Sequence, residues 1–315
     1  MAFYFYAMLE KSYYKHGKLL LIGEYFVLDG ATALAVPTRR GQRFTVSGPE
    51  AAPITELHWI MVDHTGTETR RIVLTRDAWT TVTPSQDPVT DRLRQLFRAA
   101  EELRPGCTAV LPGSRIRCEL EFPADWGLGS SSTLVSFLAE HLGVNAYALL
   151  ERTFGGSGYD LACADATGPL LYRRNGTSPK IQEYDWSPEW LGTTYFVHLN
   201  RKQNSRQALE LYQTSDIDEE TLWEANQEAR LLLQASHLRA AARVVTGYER
   251  LVADVLGLTP VREEYFSDFD GEIKSLGAWG GDFIWALTER PRDYVRDYFN
   301  ERGYPTVVGW NEMVL

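Results

Sequence analysis

The stretch from Trp126 to Leu142, WGLGSSSTLVSFLAEHL, constrains this chain more than any other. Apolar residues recur at Leu134, Phe137, Leu138 and Leu142, three or four apart, which is the spacing of a helix with one buried face. Two glycines and three serines stand immediately ahead of it. A serine at a helix start can accept a bond from a free backbone N–H, but capping needs one serine and no Gly-Leu-Gly before it. Glycines let a ligand approach the backbone, and the free N–H groups of a helix start attract an anion. Two readings therefore stand for residues 127–132: a phosphate cradle, or a glycine-rich turn with an ordinary cap.

The totals restrict what can surround that turn. A chain of 315 residues is long enough for two domains. Its 44% hydrophobic and 23% charged residues, with nine Trp and sixteen Tyr, describe a folded globular protein. The formal charge of −10 disfavours nucleic acid or an anionic membrane as partner, yet leaves room for a small anionic ligand held by local cations and N–H groups. Three cysteines, Cys107, Cys118 and Cys163, have no CxxC spacing and give neither a disulfide framework nor a zinc site. A reducing cytoplasm is the expected setting. The opening MAFYFYAMLEKSYYKHGK lacks a basic leader and a cleavage site and reads as a strand, not a signal peptide. No stretch has the length and apolarity of a membrane span.

Along the chain, residues 3–9 and 17–28 read as strands, as do GQRFTVSG and TELHWIMVDHTGTETRRIVLT, the latter folded at His64–Thr67. Helical spacing marks 88–103, 145–154, 218–256 and PRDYVRDYFNERG. SRIRCELEFP alternates like a strand, GEIKSLGAWGGDFIWALTE reads as strand, glycine turn, strand, and YPTVVGW as a final strand. Periodicity lapses over NGTSPKIQEYDWSPEW, which puts a domain break there, with domains at 1–180 and 181–315. Strands mixed with helices and joined by hairpins indicate an α+β chain.

Three glycine-bearing segments now stand in order: GKLLLIGEYFVLDGATALAVP, PADWGLGSSSTL and KSLGAWGGDF. Their order resembles the GHMP kinase superfamily, named for galactokinase, homoserine kinase, mevalonate kinase and phosphomevalonate kinase, and the resemblance covers most of the chain. Pro123 followed by Gly127, Leu128, Gly129, Ser130 and Ser131 is its most specific part. GGSGYDLACA, with Leu161 in place of isoleucine, further resembles the bacterial GYDIA-type subgroup. The resemblance implies an N-terminal domain like ribosomal protein S5, a C-terminal ferredoxin-like domain, and ATP with Mg²⁺ as cofactors.

Phosphoryl transfer asks a protein for charge neutralisation, alignment and a group to handle the acceptor's proton. The turn Gly127, Leu128, Gly129, Ser130, Ser131, Ser132 would bind the phosphates through N–H groups and the helix dipole; no GxxxxGK[ST] is present, so it is not a Walker loop. By resemblance Ser131 would ligate Mg²⁺ and Asp160 would accept or orient the acceptor hydroxyl's proton; a turn aspartate satisfying its own backbone is the alternative. Lys18 matches a family cation beside the catalytic aspartate, although His16-Gly17-Lys18 replaces the Pro-Gly-Lys of many relatives. Glu24 is a charge in an apolar stretch and needs a partner, either in structural support or in the substrate site. Glu151 is the nearest candidate for a second Mg²⁺ ligand, against a solvent-facing helix glutamate. Gly277, Gly280 and Gly281 form the third motif, where Trp279 and Asp282 replace small residues and bring an acid toward the phosphates unless Mg²⁺ or Lys274 intervenes. Lys202 and Ser205 stand at a strand-to-helix junction that can bind acceptor or phosphate, or simply cap the helix.

The leading expectation is thus an ATP- and Mg²⁺-dependent kinase for a small molecule, with mevalonate or 5-phosphomevalonate as acceptor. A diphosphomevalonate decarboxylase and a non-catalytic, metabolite-binding homologue are the alternatives. The oligomeric state stays open between monomer and homodimer.

Overall fold

The structure, a computed structural model, describes residues 10–48, 52–80, 84–200, 205–215, 217–277 and 281–315, with the backbone alone described for 205–209. The expected strand at 3–9, Lys202, Trp279 and Gly280 lie outside them. Along the chain run β1 (Lys11–Ile22), β2 (Ala33–Ser47), β3 (Glu56–Val62), β4 (Glu68–Thr75), α1 (Pro88–Leu103), β5 (Arg115–Leu120), α2 (Ser130–Leu142), α3 (Ala146–Thr153), α4 (Tyr159–Ala164), β6 (Leu170–Arg173) and β7 (Lys180–Glu183). There follow β8 (Thr194–His198), α5 (Ser205–Thr214), α6 (Glu219–Gln234), α7 (Leu238–Leu256), α8 (Val261–Tyr265), β9 (Glu272–Leu276), β10 (Phe283–Leu287), α9 (Arg292–Glu301), β11 (Val307–Gly309) and α10 (Trp310–Met313).

Two compact units interleave along this sequence. Among the described residues, the first gathers the chain up to Gly17 with Arg40–Ala124 and Gly129–Ala164; the second gathers Lys18–Arg39, Asp125–Leu128 and Asp165–Leu315. A single cut between residues 180 and 181 would fall inside β7. In the first unit the strand order is β4-β3-β5-β2, antiparallel except for the parallel pair β3–β5. The core of this unit is aromatic: Phe44, Trp59, Phe97 and Phe137 are buried together with Ile116, Leu138 and Leu149. Helix α1 shows how locally this is written. Asp87 accepts bonds from the N–H groups of Val89 and Thr90, Pro88 needs no bond at the first position, and Leu93, Leu96, Phe97 and Ala100 fall on the buried face. The β3–β4 turn is equally local, since the Asp63 carboxylate accepts from the N–H groups of Thr65 and Thr67.

In the second unit the N-terminal half of β2 pairs with β6, and β6 with the edge strand β7. A separate antiparallel sheet has the order β11-β8-β10-β9. β10, FIWAL, is buried along its whole length, and α7 packs on β9. The helix expected over 218–256 is two helices. Asp218 caps α6, and the chain breaks at residues 235–237, where the His237 ring accepts from the Ala240 N–H at 3.1 Å and starts α7. Helix α7 ends at Gly257 in the left-handed conformation (φ 65°). Its buried stripe runs Ala241, Val245, Tyr248, Glu249, Val252, Leu256, so one glutamate sits on an otherwise apolar face.

Candidate functional site

The glycine–serine turn is anchored on its upstream side within the second unit. Leu128 is fully buried, and its carbonyl accepts the Lys18 N–H at 3.0 Å. The His198 Nε2–H donates to the Asp125 carbonyl at 3.2 Å, and the Trp126 ring packs edge-on against Phe283, 5.3 Å between centroids. None of Trp126, His198 and Phe283 was an expected site residue. Their signal in the sequence is weak, because a histidine in β8 and an aromatic in β10 look like ordinary strand residues until the sheet pairs Phe283 with His198.

Gly127 (φ 63°) and Gly129 (φ 88°) both adopt the left-handed conformation that costs glycine nothing. Gly127 has a second constraint. A Cβ there would lie 1.8 Å from the Asp282 Oδ2, so the carboxylate occupies the space of the missing side chain. The third-motif aspartate therefore rests on the turn. Gly127→Ala should cost about 1–3 kcal/mol in denaturant unfolding from backbone strain, beyond the loss that comes with moving Asp282. Adding Asp282→Ala should recover the clash and leave the strain; full recovery by the double variant would show that the backbone conformation imposes no cost.

In the first unit the turn opens α2. Gly129 is the N-cap, no side chain caps the helix, and the first turn carries no acid. The plain capping role for the serines is thereby excluded. The Ser132 and Thr133 N–H groups bond the Gly129 carbonyl, while Ser131 is exposed. Ser132 is buried and its hydroxyl donates to the Asp160 Oδ2 at 3.2 Å. Asp160 stands half-buried in the first turn of α4, just after Gly158 (φ 86°). The Thr133 hydroxyl reaches Gln42 Oε1 at 2.7 Å, tying α2 to β2. These residues can offer an anion N–H groups, a free serine and, one hydrogen bond away, a carboxylate.

Other expected residues are placed differently. Glu24 is 5% exposed and its carboxylate pairs with Lys274, which is 1% exposed on β9. This is the structural-support alternative for Glu24, and it removes Lys274 as a counter-cation for Asp282. The Lys274 Nζ also faces Glu249 Oε2 at 3.8 Å and lies 5.2 Å from the centre of the Tyr248 ring. The Tyr248 hydroxyl accepts the Gly23 N–H at 2.9 Å, and the Ser275 hydroxyl donates to Glu249 at 2.6 Å. Burial pushes the Glu24 carboxyl up to about 7 against the pull of Lys274, and raises Glu249 likewise. Sequence reading missed this cluster, although a glutamate on the apolar stripe of α7 was its visible sign.

Glu151 is exposed on α3. Ser205 opens α5, and Lys18 is half-buried on β1. Gly277 (φ 79°) follows β9 and Gly281 is buried ahead of β10. All three cysteines are buried, and none takes part in a disulfide. Among the described residues no three or more His, Cys, Asp or Glu gather as a metal cluster, and no helix is long and apolar enough to cross a membrane.

No family model and no curated protein matches the sequence. Solved structures do match by shape. The Lin0012 protein of Listeria innocua superposes with a TM-score of 0.71 at 14% identity, over 95% of this chain and 96% of that one. The Methanococcus jannaschii mevalonate kinase gives 0.68 at 13% identity, over 96% and 97%. The Streptococcus pneumoniae phosphomevalonate kinase, in complex with phosphomevalonate and AMPPNP, gives 0.69 at 16% identity, over 93% and 97%. Over nearly its whole length, then, this chain has the two-domain fold of the GHMP kinase superfamily.

Proposed function

We propose that the protein is an ATP- and Mg²⁺-dependent small-molecule kinase of the GHMP type, close to the GYDIA-type subgroup and working in the cytoplasm. The observation that carries this reading is the start of α2. A glycine-capped, acid-free helix start leaves the Ser130 and Ser131 N–H groups for phosphate, and Ser132 holds the Asp160 carboxylate one hydrogen bond away. Exposed Ser131 suits an Mg²⁺ ion that takes its other ligands from phosphate oxygens and water. Bound Mg²⁺ would neutralise charge on the transferring phosphoryl group; Asp160 would accept or orient the acceptor's proton, and Lys18 would stabilise the developing charge. Asp282 on Gly127 fits the same reading only with a cation present, because a carboxylate there repels a phosphate.

Mevalonate and 5-phosphomevalonate are the acceptors we favour. The first motif, GEYFVLDG, and the fold shared with the mevalonate and phosphomevalonate kinases support that choice. ADP release with Mg-ATP over mevalonate, 5-phosphomevalonate, diphosphomevalonate, homoserine and sugars tests it. One acceptor should drive turnover. Carbon dioxide released from diphosphomevalonate would identify a decarboxylase, and Mg-ATP binding without turnover on any acceptor would identify a non-catalytic homologue.

A further inference from the structure

Beyond that reading, a second cluster in the second unit has the chemistry of an anion site. A cavity of about 300 Å³ is walled by Arg173 at the end of β6, Lys180 at the start of β7 and Arg230 on α6. Arg173 and Lys180 are register partners in the antiparallel β6–β7 pair, so two cations stand directly opposite on one face. Like charges so placed destabilise a sheet. No described carboxylate forms an ion pair with any of the three, in a chain where 42 acids outnumber 32 lysines and arginines. Two nearby acids are engaged elsewhere, Glu183 accepting from Thr167 and Asp29 from the Tyr212 hydroxyl, while Glu219, which lines an adjoining cavity with Arg173, forms no ion pair with it. A lysine on an edge strand is a common guard against strand pairing, which accounts for Lys180 alone. It does not account for the facing Arg173, or for Arg230 arriving from a helix. The same wall carries Gln182, in register with Leu171, and Thr32, whose N–H is held by Asn226 at 2.9 Å.

We propose that this cavity binds a small phosphate- or diphosphate-bearing molecule through Arg173, Lys180 and Arg230. Two guanidinium groups give forked donors for phosphoryl oxygens, the ammonium adds a point charge, and the volume is at the lower end of small-ligand sites. The ligand would offset the repulsion between Arg173 and Lys180.

The test is calorimetric titration and thermal unfolding of the full chain with sodium pyrophosphate and with inorganic phosphate, at about 0.15 M ionic strength. Without anion, Lys180→Glu should unfold at a higher temperature than the unaltered protein, since an opposite-charge pair replaces a like-charge one. Pyrophosphate should raise the midpoint of the unaltered protein, and its affinity for Lys180→Glu and Arg230→Gln should fall about tenfold or more. Tighter binding of pyrophosphate than of phosphate assigns the site to diphosphates, and equal binding to single phosphoryl groups. Equal pyrophosphate affinity in the unaltered protein and both variants would place the anion elsewhere, on the glycine–serine turn for example, and overturn the proposal. So would the absence of binding by either anion.

Discussion

Lys274→Met should destabilise the protein by about 3–5 kcal/mol, measured by denaturant unfolding at pH 8. Lys274 is the ammonium between two buried carboxylates, Glu24 and Glu249, whose relative exposures are 5% and 2%. Their Oε2 atoms have no hydrogen-bond partner among the described residues. Methionine fills similar volume and removes the charge, so the loss reports stranded carboxylates more than a cavity. The pH dependence separates this cause from simple packing. The Glu24 carboxyl, pushed up to about 7 by burial, binds its proton more tightly folded than unfolded. Its contribution is therefore full below the ordinary carboxylate range and is lost as pH rises through about 7. Without Lys274 both glutamates favour the protonated form still more, so the deficit of Lys274→Met should shrink toward pH 5. A deficit that stays constant from pH 5 to 8 would show that the ammonium acts by packing alone.

Asp160→Asn should lower kcat for ADP release by about 10²- to 10⁴-fold once the acceptor is found, with KM for ATP changed much less. Asparagine is nearly isosteric and its amide oxygen can still accept the Ser132 hydroxyl, so the first turns of α2 and α4 should stay joined and thermal stability nearly unchanged. What it removes is the charge and the proton-accepting oxygen. An aspartate that merely satisfied a turn would give the opposite pattern, a stability loss with turnover intact. Ser132→Ala completes the set. It leaves the carboxylate in place without its hydroxyl donor and should reduce kcat less than Asp160→Asn does, because a positioning contact is lost and the acid remains.

Some of this protein was legible because the signal is local. α1 carries its own cap, proline and apolar stripe within sixteen residues, and its expected span coincides with the observed one. The left-handed glycines of residues 127–129 advertise an unusual turn without help from elsewhere. The helical span 218–256 was misread because apolar periodicity continues through residues 235–237, while the break depends on His237 bonding the backbone it caps. The expected partition at residue 180 rested on lost periodicity. Compact units are set instead by which strands pair, and β1 and β2 each run through both.

For the candidate site the division is sharper. The sequence by itself determined residue types: a glycine–serine helix start, an aspartate after glycines, a lysine on the first strand, an acid in the third motif. Only the tertiary structure decided which of them meet. It joined Ser132 to Asp160 across 28 positions, set Asp282 on Gly127, and buried Glu24 against a lysine 250 positions away. The physical reason is that a turn or a cap is a bargain among neighbours, decided by dihedral angles and one or two hydrogen bonds. The partner of a buried charge is fixed by desolvation, which acts only after distant segments have closed around it.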